Sequence, residues 1–135
     1  MTTALKPTVL VADDEPDMRE LARTFLEMDG FDVVSEAVDG AEAYELYVEL
    51  DPPPVPSVVL LDNRMPVLTG LEAAERILEH RPEQLVVLFS AHLDGAVQSR
   101  ARDIGVAACV SKMDTASLPT ILRELLADGG AARTP

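Results

Sequence analysis

The chain has one cysteine, Cys109, in 135 residues. A lone thiol closes no internal disulfide and builds no zinc site, so the sequence suits a reducing compartment. Positive charge is scarce. Eleven Lys and Arg face 24 Asp and Glu, a formal net charge of −13 and a sequence pI of about 4.3. That balance excludes an electrostatic footprint for a phosphate backbone and disfavours an anionic membrane surface. It favours cations or basic partners instead. No apolar run approaches the ~20 residues of a membrane span. The stretch from Met1 to Pro7 lacks a signal-peptide pattern. The expected location is the cytoplasm. No internal repeat occurs. Neither G-x-x-x-x-G-K-[ST] nor G-x-G-x-x-G is present, which ranks a nucleotide or flavin binder low.

What is present is a core. Hydrophobic residues make up 47% of the chain, too many for a disordered acidic tail. The length fits one domain. Short apolar runs alternate with helical periodicity. Thr8 to Ala12, Phe31 to Val38, Val58 to Leu61, Leu85 to Phe89 and Val106 to Val110 read as strands. Met18, Leu21, Ala22, Phe25 and Leu26 stripe a first helix that Gly30 ends, and Ala43, Leu46, Tyr47 and Leu50 stripe a second. Asp39-Gly40 is a turn signal. Prolines 52, 53, 54 and 56 force a stiff extended link. Leu71, Ala74, Ile77 and Leu78 form a third helix after a loop through Thr69-Gly70. Gly95 to Ile104 is a weaker fourth, and Leu118, Ile121, Leu122 and Leu125 stripe a last one. Residues 128–135 read as a flexible tail or the start of a linker after a domain spanning 1–127.

The pattern is α/β, (βα) five times over. Strands that are apolar without alternation are buried on both faces, the mark of a doubly wound parallel sheet. Ligand sites in such sheets lie beyond the carboxyl ends of the strands, where strand order reverses. The first strand delivers Asp13, Asp14 and Glu15, the third Asp62, the fourth Ser90 and the fifth Lys112. The second delivers nothing obviously chemical. In the flavodoxin-like order 2-1-3-4-5, Asp13, Asp14 and Asp62 converge. Three carboxylates in one cleft repel, and Mg²⁺, which takes oxygen ligands and a phosphate, removes the conflict. With Lys112 and Ser90 close by, such a carboxylate suits phosphoryl transfer. Each residue alone also has an ordinary reading: a cap for Asp13-Asp14-Glu15-Pro16, a turn for Asp62, a loop hydroxyl for Ser90, a solvated amine for Lys112. The combination, in that order, carries the inference.

These residues resemble the receiver domain of two-component response regulators, as in single-domain chemotaxis receivers. The matching segments are Val11-Ala12-Asp13-Asp14-Glu15, Asp62 with Met65-Pro66, Thr69-Gly70-Leu71, Ser90-Ala91, Ala101 with Gly105, and Lys112. The resemblance runs from about Val9 to Leu126. It implies that Asp62 accepts a phosphoryl group from a sensor histidine kinase or histidine-phosphotransfer protein. It implies Mg²⁺ held by Asp14 and Asp62, by Asp13 through water, and by the Arg64 backbone carbonyl. Lys112 would pair with the phosphoryl oxygens and Ser90 would hydrogen-bond them. Ala91 leaves the site open to the donor, and Arg64 and His92 fall where side chains tune dephosphorylation.

Two positions depart from the family pattern. Cys109 stands where the family usually has an aromatic switch residue, and Met113 where it usually has proline. Both fall on the region that reads out phosphorylation. A receiver-like docking module that works without phosphate is therefore a second reading. A Mg²⁺-dependent aspartyl-nucleophile phosphatase is a third, weakened because Asp62-Asn63-Arg64 has no acid at the plus-two position. His80 and His92 are not assigned phosphotransfer roles, Tyr44 and Tyr47 read as helix-face packing, and Arg100 and Arg102 read as solvated charge. Output is expected through a downstream protein or a missing effector domain, not through nucleic acid or membrane.

Overall fold

Five strands and five α-helices alternate along residues 6–50 and 54–128, the residues described by the computed structural model. They are β1 (Thr8–Ala12), α1 (Pro16–Met28), β2 (Asp32–Ala37), α2 (Gly40–Glu49), β3 (Val58–Leu61), α3 (Gly70–His80), β4 (Val86–Ser90), α4 (Gly95–Ile104), β5 (Ala108–Ser111) and α5 (Leu118–Ala127). All pairings are parallel, in the order β2-β1-β3-β4-β5. This is the expected flavodoxin-like arrangement, with its switch point between β1 and β3. Pro52, Pro53 and the tail from residue 129 lie outside the described residues. Pro54 to Pro56 take neither helix nor strand.

Alternation along each strand divides the core into two layers. Val9 and Val11 of β1 meet Ala22 and Leu26 of α1 and Leu118 and Leu122 of α5. Leu10 and Ala12 meet Ala43 and Tyr47 of α2 and Ala73 and Ile77 of α3. Central strands β3 and β4 are buried throughout, whereas edge strand β2 is not. Tyr47 is fully buried, and its hydroxyl donates to Gln84 Oε1 at 2.7 Å. The Gln84 amide in turn donates to Pro56 O at 3.0 Å and ties the proline link to the sheet.

Three strands begin later than their apolar runs, β4 by one residue at Val86 and β2 and β5 behind left-handed glycines. Gly30 and Gly105 take the left-handed conformation at φ +90° and +106° behind α1 and α4. The next amides, Phe31 and Val106, then donate back to Leu26 O and Ala101 O at 3.0 and 2.9 Å. Those N–H groups close the helices and are lost to the sheet, so β2 starts at Asp32 and β5 at Ala108. Three helices start on side-chain caps. Asp39 and Asp94 accept from the amides of Glu42 and Val97, and Thr69 forms a reciprocal capping box with Glu72. The expected turn at Asp39-Gly40 and loop at Thr69-Gly70 are therefore caps and first helical residues. After β5 a 3₁₀ turn, Lys112–Ser117, precedes α5, an element the periodicity did not indicate. Ser111 Oγ accepts from the Met113 amide at 3.1 Å. A proline at that position would have no N–H to give.

Candidate functional site

The register of the sheet brings the acids together. Ala12 pairs with Leu61, so Asp13 and Asp62 leave adjacent strands side by side. The Asp62 amide donates to Ala12 O at 2.9 Å and fixes that alignment. Asp13 and Asp62 are buried and Asp14 is exposed. One carboxylate oxygen from each of the three lies within 4.8 Å of the others. Lys112 crosses from the far side of the sheet. Its Nζ sits 2.7 Å from Asp13 Oδ2, 3.2 Å from Asp62 Oδ2 and 3.3 Å from Glu15 Oε1. Its side chain is only 9% exposed, so it is no solvated surface amine. Ser90, buried at the end of β4, lines the same cleft as Asp62, and its Oγ accepts from the His92 amide at 3.3 Å. Asp14, Glu15, Asp62, Arg64, Ser90, Ala91, His92 and Lys112 line a cleft of about 340 Å³.

The capping reading of the first acids is not what the structure shows. Glu15 is the N-cap of α1 and makes no side-chain cap bond, while Pro16 opens the helix. Asp13 Oδ1 accepts from the Glu15 amide at 2.9 Å, and its other oxygen is free to face Lys112.

Charge in the cleft is unbalanced. Burial raises the pKa of Asp62, and the neighbouring Asp13 charge raises it further. Lys112 and Ser90 only partly oppose this. Burial alone would lower the pKa of Lys112, yet Asp13 and then Asp62 outweigh it and hold the amine protonated. One ammonium cannot neutralise Asp13, Asp14, Glu15 and Asp62. Convergent carboxylate oxygens without soft ligands, with a surplus of negative charge, fit a hard divalent cation such as Mg²⁺.

Cys109 lies outside this cleft. It is half-buried on β5, in a separate cavity of about 220 Å³ with Gln98, Ala101 and Arg102. Burial pushes its thiol pKa up, against the pull of Arg102. His80 packs edge-on to Tyr47 at 6.2 Å, and Arg100 pairs with Glu75 at 3.2 Å. Sequence reasoning named Gly70 and Asn63 but gave neither a role at the site. A Cβ on Gly70 would stand 2.2 Å from Asp62 O, so only glycine lets α3 start against the acid. Asn63 accepts the Gly70 amide on its carbonyl at 2.9 Å and the Leu71 amide on Oδ1 at 3.1 Å. The signal available was Thr-Gly directly before an apolar helical stripe.

Comparison with known proteins agrees with this geometry. The family model described as "Response regulator receiver domain" matches residues 9–123. A protein-glutamate methylesterase/protein-glutamine glutaminase of Hahella chejuensis is 32% identical over 119 residues, covering 87% of this chain and 33% of that protein. The transcriptional regulatory protein PdtaR of Mycobacterium tuberculosis is 38% identical over 109 residues, covering 81% of this chain and 51% of that one. The chain thus spans a third to a half of these curated relatives. Among solved structures, the signal receiver domain of the response regulator NarL of M. tuberculosis superposes with TM-score 0.77 at 33% identity. That match covers 95% of this chain and 98% of the other. The response regulator domain of Thermotoga maritima CheB gives 0.75 at 28%, covering 97% and 98%. With its parallel sheet in the receiver order and its acids gathered at the switch point, the chain belongs to the response regulator receiver domain family.

Proposed function

We propose that residues 1–127 form a receiver that takes a phosphoryl group on Asp62 from a sensor histidine kinase or a histidine-phosphotransfer protein. The observation that carries this is the placement of Asp62. It is buried at the end of β3, 3.2 Å from the Lys112 ammonium, and within 4.8 Å of two further carboxylates. An Asp62 carboxylate oxygen attacks phosphorus. The bond from phosphorus to the donor imidazole nitrogen breaks, and its electron pair stays on that nitrogen. Lys112 Nζ already lies against the oxygens of Asp62 and neutralises charge on the transferred group. The Ser90 hydroxyl donates a hydrogen bond to it. Ala91 presents only a methyl group at the mouth of the cleft, which admits the donor, while Arg64 and His92 line the path of a hydrolytic water.

Asp13, Asp14 and Asp62, with the Arg64 backbone carbonyl, would hold Mg²⁺. When bound, the ion supplies neutralisation of carboxylate and phosphoryl charge. Phosphorylation adds roughly −1.5 to −2 charge and strong acceptor oxygens to the cleft. Ser90 and Lys112 respond to that group and bias α4 and β5 between two arrangements. The chain works in the cytoplasm as a signalling element whose own chemistry is phosphorylation and dephosphorylation of Asp62. Its output passes to a downstream protein or to an effector domain, with no direct contact to nucleic acid or membrane. Cys109 in place of an aromatic favours one second reading, a docking module that works without phosphate.

Intact-mass measurement after treatment with a small phosphodonor and Mg²⁺ tests the assignment. One phosphoryl adduct is expected on the wild type and none on Asp62→Ala. No adduct on the wild type, or the same adduct on the variant, overturns it.

A further inference from the structure

Asp13 has every polar atom committed, and one of its partners comes from an element that the sequence left without chemistry. The amide donates to Ala37 O of β2 at 3.1 Å. Oδ1 accepts from the Glu15 amide and Oδ2 faces Lys112. The backbone carbonyl accepts from Arg19 Nη1 at 2.7 Å. Arg19 sits one turn into α1 with a side chain 17% exposed, and its Nε donates to Glu36 Oε1 at 3.3 Å. Glu36 lies on β2 in register with Val11 and also pairs with Arg23. The guanidinium therefore bridges the β1 strand end to the edge strand. Charged donors to a carbonyl form strong, short bonds, and the planar fork fixes direction as well as distance.

That carbonyl belongs to the same rigid peptide plane as the Asp14 amide. Fixing the plane fixes the Asp14 N–Cα bond, and so limits where its carboxylate can reach in the cleft. We propose that Arg19, held by Glu36, is a positioning residue for the metal-binding acids of β1, acting on Asp14 through the Asp13 carbonyl. This rests on the Mg²⁺ reading given above. The groups that orient metal ligands are worth about 10- to 100-fold in affinity where they have been removed. Arg19 orients main chain between two ligands, so the lower end of that range applies.

Magnesium titration calorimetry on the full chain, with MgCl₂ as the probe, tests this. Arg19→Ala is expected to weaken Mg²⁺ binding by about tenfold. Arg19→Lys, which keeps one donor for the carbonyl, recovers part of that loss. Glu36→Gln, which leaves Arg19 in place and loosens its anchor, shows a smaller loss and serves if Arg19→Ala does not fold. In the metal-free protein the Asp14 amide resonance moves in Arg19→Ala. Arg123→Ala removes a comparable ion pair, with Asp29, at the opposite end of the sheet. It lowers Tm and leaves Mg²⁺ affinity unchanged. A purely structural Arg19 would behave like Arg123. Wild-type affinity in both Arg19→Ala and Glu36→Gln, or Arg19→Lys no better than alanine, overturns the clamp while the metal site stands. Absence of Mg²⁺ uptake by the wild type, or uptake unaltered by Asp14→Asn, overturns the site and the clamp together.

Discussion

Charge on Asp62 is held at the expense of stability. Its pKa in the folded state lies above the ordinary carboxylate value because of burial, and next because of Asp13. For an acid shifted this way the penalty is absent below the unfolded-state pKa. It grows as pH rises toward the folded-state pKa and is complete above it. Asp62→Asn in metal-free buffer at pH 7 should therefore raise Tm by a few degrees, with Asp13 still holding Lys112. The gain should shrink toward zero as pH falls through the carboxylate range, as thermal melts across pH will show. A gain independent of pH would mean the charge is not its source. At this scale the sequence was legible where chemistry sits at strand ends. Asp13, Asp14, Asp62, Ser90 and Lys112 are found there because a parallel sheet places every carboxyl end on one edge. Glu36 and Arg19 were not legible. Their role depends on the β1–β2 register and on a side chain reaching a backbone carbonyl, and neither leaves a periodic trace.

Among the elements, α3 is the one seated directly on Asp62. Gly70 begins the helix against the Asp62 main chain, with its own amide held by Asn63 O and its cap completed by Thr69 and Glu72. Gly70→Ala adds a methyl group 2.2 Å from a backbone oxygen that has no flexible end to yield. The expected cost is about 1–3 kcal/mol, read by urea denaturation. Displacement of Asp62 should also slow phosphodonor labelling by more than the loss of folded protein accounts for. An alanine variant with wild-type stability and labelling would show that the helix start is not tightly seated. Helix existence was readable from apolar stripes, and β1, β3 and α4 agree with their expected limits. The starts of β2 and β5 were not, because Phe31 and Val106 look like strand residues yet spend their amides closing helices. The 3₁₀ turn after Lys112 escaped for another reason, since its hydrogen bonds run through Ser111 and Thr115 hydroxyls rather than an apolar face.

For the whole molecule, −13 is spread over exposed helix faces and concentrated in one cleft. The two parts respond differently to salt. Exposed charge is screened by NaCl, with a Debye length of about 3 Å at 1 M. A built cation site is not replaced by screening. Mg²⁺ at about 100-fold over its Kd should add about 2.7 kcal/mol of stability. Most of the rise in Tm should survive in high NaCl and be lost in Asp14→Asn, as thermal melts will report. Disappearance of the rise in NaCl would assign it to general screening. The same balance of parts governs how the molecule can be watched. It has no tryptophan and a single thiol, half-buried on β5 beside α4. Cys109 can thus carry one spectroscopic label without any prior cysteine removal. Because burial raises the thiol pKa, its labelling rate is slowed by its surroundings and will respond to changes in packing between α4 and β5.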